Sequence, residues 1–435
     1  MIFELTKLVR GLWPGVGLLF APSLYAAEEF SFDASEFEKK PYELNAYTEL
    51  YYERFQLDQH NAAYILNFLG QPDRNTINRG TGVLELNGKY KKNQFSAEAT
   101  LHSYYLHDDL NNGDDDETSV YEAFGRFQPT SQWTVEAGKR ALRWGKGYAW
   151  NPVGFVERPK DPNDPELARE GYLVAAADYI KSTLGDLHTI AITPVVLPVT
   201  EDINNDYGKP DKVNLAGKVY FLYKNTDIDL VALNDASRSA RYGLDFSRNL
   251  SPNFEIHGEW AYLSEVRNPL IDTAGVTSVD VKDAHQALLG LRYLTESDTT
   301  YILEYYYNGA GYSDEQLQDY YRNVKAAAES DNLTLLSKYK SIGINGYLRR
   351  NPGEQYVYLR ASNKEPFDIL YFTPAITLIY NVVDQSYSLT PEAVYTGVTN
   401  LELRLKIFIL QGSEFSEFGE KQNSNKVEIR ARYYF

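Results

Sequence analysis

The chain contains no cysteine and a single methionine in 435 residues. Without cysteine there is no disulfide, no thiolate metal site, no lipidated N-terminal cysteine and no covalently attached haem. Long apolar runs are missing too. After residue 27 no uncharged apolar stretch approaches the roughly 18 residues that a membrane-spanning helix needs. Cations are scarce relative to anions: 43 Lys and Arg stand against 60 Asp and Glu, a formal charge of −17. That balance argues against nucleic acid as a partner. The six histidines are scattered, with no His-x-x-x-His pairing, and no Gly-x-Ser-x-Gly elbow occurs. No metal, no cofactor and no catalytic residue are expected, so the chain does not read as an enzyme. The acid run Asp114-Asp115-Asp116-Glu117 lacks the alternating spacing of a calcium loop and reads as a solvated face.

Aromatic residues are abundant instead: 36 Tyr, 20 Phe and 5 Trp. The hydrophobic fraction of 43% is that of a soluble protein. A β-barrel reconciles that fraction with a membrane, because only alternate residues face lipid and strands of about 10 residues suffice to cross. The two ends of the chain point the same way. Residues 1–27 read as a secretory signal peptide, with Lys7 and Arg10 in a basic segment. Gly11 to Ala21 is apolar but too short to span, and small residues follow near Ala26 and Ala27. Residues 28–42 read as a periplasmic N-terminal segment. At the other end, Val427, Ile429, Ala431, Tyr433 and Phe435 alternate with Lys426, Glu428, Arg430, Arg432 and Tyr434. A strand with one apolar and one charged face separates lipid from water.

The same alternation recurs across residues 81–91, 94–105, 213–224, 254–262, 300–308 and 401–410. A period of two sustained over a whole chain is incompatible with helix. Connections alternate between short and long. Lys92-Asn93, Asn225-Thr226, Ser251-Pro252-Asn253 and Ser297-Asp298-Thr299 carry the residues of tight turns. Long connections fall near 58–79, 108–118, 146–170, 199–212, 267–282, 311–354 and 413–425. This pattern predicts an all-β fold over 43–435: a transmembrane, antiparallel, up-and-down barrel of about 18 strands, within roughly 16 to 20. Segments 43–69 and 332–350 remain ambiguous. Within the longest loop, Ser313 to Gln316 has capping-box chemistry and opens a helix over Leu317 to Glu329. That helix is expected to lie at the barrel mouth as a constricting element.

Arg432-Tyr433-Tyr434-Phe435 resembles the C-terminal signal read by outer-membrane assembly machinery. Gly138-Lys139-Arg140-Ala141-Leu142-Arg143-Trp144-Gly145 is similar to a Gly-Arg-Gln…Trp-Gly strand that precedes a long loop in porin-like barrels. The chain thus resembles the porin-like outer-membrane β-barrels of Gram-negative bacteria, and among them the alginate-export-like type, with Lys-Arg in place of Arg-Gln. The resemblance implies an outer-membrane location, a transport role, and contact with outer-membrane lipid and the assembly machinery through Tyr433, Tyr434 and Phe435. It leaves the solute, small molecule or polymer, unnamed.

Alternation places Arg126, Glu136, Arg140, Arg404, Lys406, Arg430 and Arg432 on the inner face. The proline-rich loop 146–170 adds Lys146, Arg158 and Lys160, and Arg143 stands just before it. These form the expected pore lining and a cationic constriction. Strict alternation puts Arg140 and Arg143 on opposite faces, so a bulge near Ala141-Leu142 is expected, or else only Arg140 faces inward. Tyr148, Trp150 and Phe155 suit stacking on a sugar or an anionic solute, or packing that seals the lumen. The expected function is passive or gated transport of a small polar or anionic solute or a polysaccharide. A sheath or partner barrel for another envelope component, and an outer-membrane lipid hydrolase, are the alternatives.

Overall fold

The computed structural model describes residues 40–110, 113–167 and 169–435. The expected signal peptide, and the N-terminal segment up to residue 39, lie outside the described residues. The chain forms β1 (Tyr42–Leu57), β2 (Thr76–Lys92), β3 (Phe95–Asp108), β4 (Gly113–Phe127), β5 (Trp133–Arg140) and β6 (Tyr172–Ser182). There follow β7 (Leu187–Val199), β8 (Lys212–Tyr223), β9 (Thr226–Leu233), β10 (Arg241–Ser251), β11 (Phe254–Ile271) and β12 (Thr277–Leu294). The last six are β13 (Thr299–Asn308), β14 (Gln355–Asn363), β15 (Phe372–Asn381), β16 (Tyr387–Val398), β17 (Leu401–Gln411) and β18 (Asn423–Tyr434). Each strand pairs antiparallel with its neighbours in sequence, and β1 pairs with β18, Tyr52 opposite Ile429, which closes the ring of 18.

Closure leaves two faces with inverted polarity. Outward side chains are apolar and uncovered, Leu289 at 63% and Ile429 at 55% exposure, whereas inward Glu304 and Glu428 are at 0% and 2%. A soluble protein does the reverse, because uncovered apolar area costs about 25 cal/mol per Å² in water. Aromatic pairs mark the short-turn end of the wall: Phe95 on Phe127, Trp133 on Tyr179 and Phe254 on Tyr293. Tyr242, Tyr305 and Tyr307 are exposed toward the long-loop end.

Three helices gather at the long-loop end: α1 (Ala62–Asn67), α2 (Asp314–Glu329) and α3 (Leu333–Asn345). Ser313 accepts from the Gln316 backbone while Gln316 reaches back to the Ser313 N–H, so the expected capping box is present. Helices α1 and α3 come from the two ambiguous segments. They hold because Leu66, Leu317, Tyr320, Val324, Leu336 and Tyr339 bury one another around a stack of Tyr320, Tyr347 and Tyr312 rings. The cluster leans on the β11–β12 hairpin, where the Tyr339 hydroxyl donates to the Asp272 carbonyl and Tyr312 to that of Pro269. At 18 residues each, β11 and β12 reach about 60 Å, which is long enough to stand above a bilayer and support the helices.

Candidate functional site

The connection between β5 and β6, residues 141–171, folds into the barrel. Strand β5 stops at Arg140, short of the expected 145. The chain turns inward there because Leu142, Trp144, Val153, Phe155 and Val156 pack on an apolar inner wall. That wall is made by Val174, Val195, Leu197, Val231, Leu233 and Leu263 of β6, β7, β9 and β11. Farther round, Ala149 and Trp150 pack on Ile302, Tyr306, Tyr356 and Tyr358. Each large side chain so buried contributes about 1.5–3 kcal/mol before ordering costs.

A loop inside a barrel must satisfy its own backbone. Here wall carboxylates accept the loop's N–H groups. Glu259 of β11 accepts from Lys146 and Gly147 at 2.6 Å each and from Val153 at 3.1 Å. Glu304 of β13 accepts from Tyr148 and, at 2.8 Å, from Ala149, with His257 Nε2 at 2.9 Å. Gly145 is required at its place: φ is +93°, and a Cβ would stand 2.7 Å from Glu259 Oε1. Within the loop, Glu157 takes the Trp144 N–H at 3.2 Å, Asn151 Nδ2 at 2.6 Å and Arg169 at 2.9 Å. Burial pushes the Glu157 carboxyl up to about 7 against the pull of Arg169, Asn151 and Lys160. Burial also tends to raise Asp164, but Lys406 at 3.4 Å and Arg430 at 3.3 Å hold it below the usual carboxylate range. The loop is thereby tied to β11, β13, β17 and β18, and crosses the lumen.

The expected cations are distributed as follows. Arg140 and Arg126 both pair with Glu136, the latter at 2.5 Å, and Arg140 lies over the Phe124 ring. Lys146 sits between Asp229 at 2.9 Å and Asp245 at 3.7 Å. Burial lowers its ammonium, and the two carboxylates more than reverse that. Arg158 is held by Glu170 at 2.9 Å and by Asp206, away from Arg140. Lys160 donates to the Gly147 carbonyl, and burial lowers its ammonium. Arg404 contacts Glu392 and Glu402, Arg430 contacts Glu428, and Arg432 contacts Glu49 at 2.7 Å. The single cationic cluster expected at Arg140, Arg143, Arg158 and Lys160 is therefore corrected: Arg140 and Arg158 stand in separate ion pairs and Lys160 is held by a backbone carbonyl. Arg143 is the exception: it is exposed, and among the described residues no carboxylate lies within 4.0 Å. No bulge is needed to place it, since Leu142 and Trp144 turn to the wall on either side.

The loop aromatics divide. Trp150 and Phe155 are covered by the wall, and the Tyr207 hydroxyl donates to the Phe155 carbonyl, so neither ring is open to a solute. Tyr148 remains half-buried and donates to Glu166 at 3.1 Å. Between the loop, α2 and strands β17 and β18 lies a cavity of about 630 Å³, lined by Asp164, Tyr321, Lys406, Lys426, Glu428 and Arg430 among others. Nearer the short-turn end of β1 to β4, Lys40, Lys89, Lys91, Glu98 and Arg126 line a cleft of about 240 Å³. The acid run 114–117 lies along β4, with Asp114 on His107 and Asp115 on Tyr104. Among the described residues no group of three or more His, Asp or Glu side chains converges to hold a metal.

Alternation along 254–262 and 300–308 puts Glu259 and Glu304 on the inner face, but their task of holding the loop is not marked by it. The available signal was an excess of inward acid: Asp229, Asp245 and Glu259 stand directly opposite one another across β9, β10 and β11. Like charges in register are unfavourable without donors between them.

This fold is shared with a solved structure. OccAB1 of Acinetobacter baumannii superposes at a TM-score of 0.52 and 10% identity, over 91% of this chain and 96% of that one. A triple mutant of the Rhodopseudomonas blastica porin matches at a TM-score of 0.44 and 11% identity, over 91% of this chain and 100% of its own. No family model matches the sequence, and no curated protein matches it. Nothing in these matches supports the alginate-export-like type.

Proposed function

We propose that the chain is an outer-membrane channel for passive transport of a small polar or anionic solute, narrowed by the inward loop 141–171. The observation that carries this is that the loop seats its apolar side chains on one sector of the wall only. It seals the apolar sector from β6 to β15 and leaves a polar sector from β17 through β1 to β5. Within that sector Tyr47, Glu85, His102 and Tyr121 are half-buried, with Tyr47 and His102 both on Glu85 and His102 stacked on Tyr121. Mixed charge inside a barrel is stable when it is paired or wet, and here it is paired. The uncovered apolar exterior favours a lipid setting, with Tyr433, Tyr434 and Phe435 as the assembly signal. A hydrolase finds no support at His102 and Ser103, because His102 faces inward against Tyr121 while Ser103 faces outward against Thr118.

Arg143 supports the anionic side of the reading, since a free cation at a constriction acts on a permeating ion more strongly than distant surface acid does. Reversal potential in a salt gradient tests it. Wild type is expected to favour anions, and Arg143→Ala to move the potential toward cations. An unchanged potential would remove the charge preference from the proposal.

A further inference from the structure

Two arginines near the long-loop end are not used by the constriction. Arg241 opens β10 on the inner face, directly across from Leu233 and Leu263, both buried in the apolar wall. It forms no ion pair and no hydrogen bond among the described residues, and its Nε is enclosed without an acceptor. A guanidinium carries five donors and cannot shed its charge; Arg241 is half-buried with its Nε enclosed, so an anion from outside the chain is what would complete it. Arg238, in the adjoining β9–β10 connection, is close enough to Arg241 for like-charge repulsion. It lies 4.0 Å over the Tyr207 ring and donates from Nε to the Tyr207 carbonyl. Stacking and that one bond fix the guanidinium plane and leave its other donors unused. Seven other inner arginines, Arg126, Arg140, Arg158, Arg360, Arg404, Arg430 and Arg432, each contact a carboxylate. Arg238 and Arg241 contact none.

The frame around them is rigid. Tyr207 is buried, its hydroxyl donates to Phe155 of the inward loop at 3.0 Å, and its ring meets Tyr172 edge-on. Burial raises the Tyr207 hydroxyl, and the charges of Arg238 and Arg241 both act to lower it. Asn214 and Ser237 lock the neighbouring connection through three hydrogen bonds, one of them to the Leu197 carbonyl.

We propose that Arg241 and Arg238 form a binding site for an oxyanion group, a carboxylate or a phosphate, of a solute arriving from the long-loop end. Paired guanidiniums suit planar carboxylates and phosphates because each presents parallel donors. This deepens the channel reading by naming the solute's charged group, and it rests on a lumen open to solute.

The test is isothermal titration of the detergent-solubilised full chain at low ionic strength with inorganic phosphate and, separately, with succinate. Saturable binding of one anion per chain is expected for at least one probe, and which probe binds tells phosphate from carboxylate chemistry. Arg241→Met, of similar length and uncharged, should weaken that binding at least tenfold while the melting temperature holds or rises, because an unpaired charge has been removed from an apolar setting. Arg238→Gln should weaken it as well. No saturable binding in wild type, or equal binding in Arg241→Met, overturns the proposal. So does a fall in melting temperature in Arg241→Met without loss of binding, since that describes a structural arginine. Conductance measured on the same preparation separates the two claims: a conducting barrel that binds no anion sinks the site and spares the channel, and a binding barrel that never conducts does the opposite.

Discussion

Side-chain direction on the strands was legible residue by residue, because a strand turns alternate residues to opposite faces and this chain sorts charge from apolar along that period. Ile429 and Glu428 lie outward and inward as the terminal strand predicts. Ile429→Lys should therefore cost about 2–4 kcal/mol at mid-membrane depth, and less toward an interface, as read by urea unfolding in lipid vesicles. An equal cost for Arg143→Ala, a free and exposed side chain, would refute the assignment of faces. What each inward charge touches was not legible, because a contact such as Glu304 with Tyr148 joins residues 156 positions apart. Glu157 adds a pH dependence. Its carboxyl is raised from 4.5 to about 7 by burial, so the docked loop binds the proton more tightly than the free loop does. Docking is then favoured fully below pH 4.5 and loses that contribution as pH rises through about 7. Unfolding midpoints at pH 5 and pH 8 should differ in that direction, and Glu157→Gln should flatten the difference.

At the scale of elements, strands and short turns could be read because their signals are local. Turn residues such as Asn93, Asn225, Asp298 and Asn400 take positive φ at the places the sequence marks. Helix α2 was equally local, announced by Ser313 and Gln316. Ser313→Ala should lower stability by about 1 kcal/mol, visible as a small drop in melting temperature without loss of barrel circular dichroism. A drop as large as that of a core truncation would mean the cap acts through the tyrosine cluster rather than the helix end. Helix α3 was hidden because Leu333–Asn345 contains Gly343, Ser and Thr residues of weak helix propensity. Its stability comes from Tyr339 and Leu336 inside a cluster assembled from three loops. The apolar seat that holds 141–171 against the wall was hidden for a related reason. Strands β6 and β7 are apolar on both faces, which alternation alone does not interpret, and the second apolar face exists to receive the loop.

For the whole molecule, the account rests on the loop dividing the lumen into a sealed sector and an open one. Its anchors, Glu259 and Glu304, sit on opposite sides of Trp260 to Leu303 in sequence but close one seam of the wall. Loss of both anchors should release the loop, since each holds N–H groups that nothing else in the barrel accepts. The most direct measurement is single-channel conductance in planar bilayers, for the wild type and for a chain whose residues 146–164 are replaced by a short Gly-Ser linker. Discrete conductance steps are expected in the wild type, and steps several-fold larger without the loop. A wild type that never conducts, or steps of unchanged size after the loop is removed, would contradict that division of the lumen.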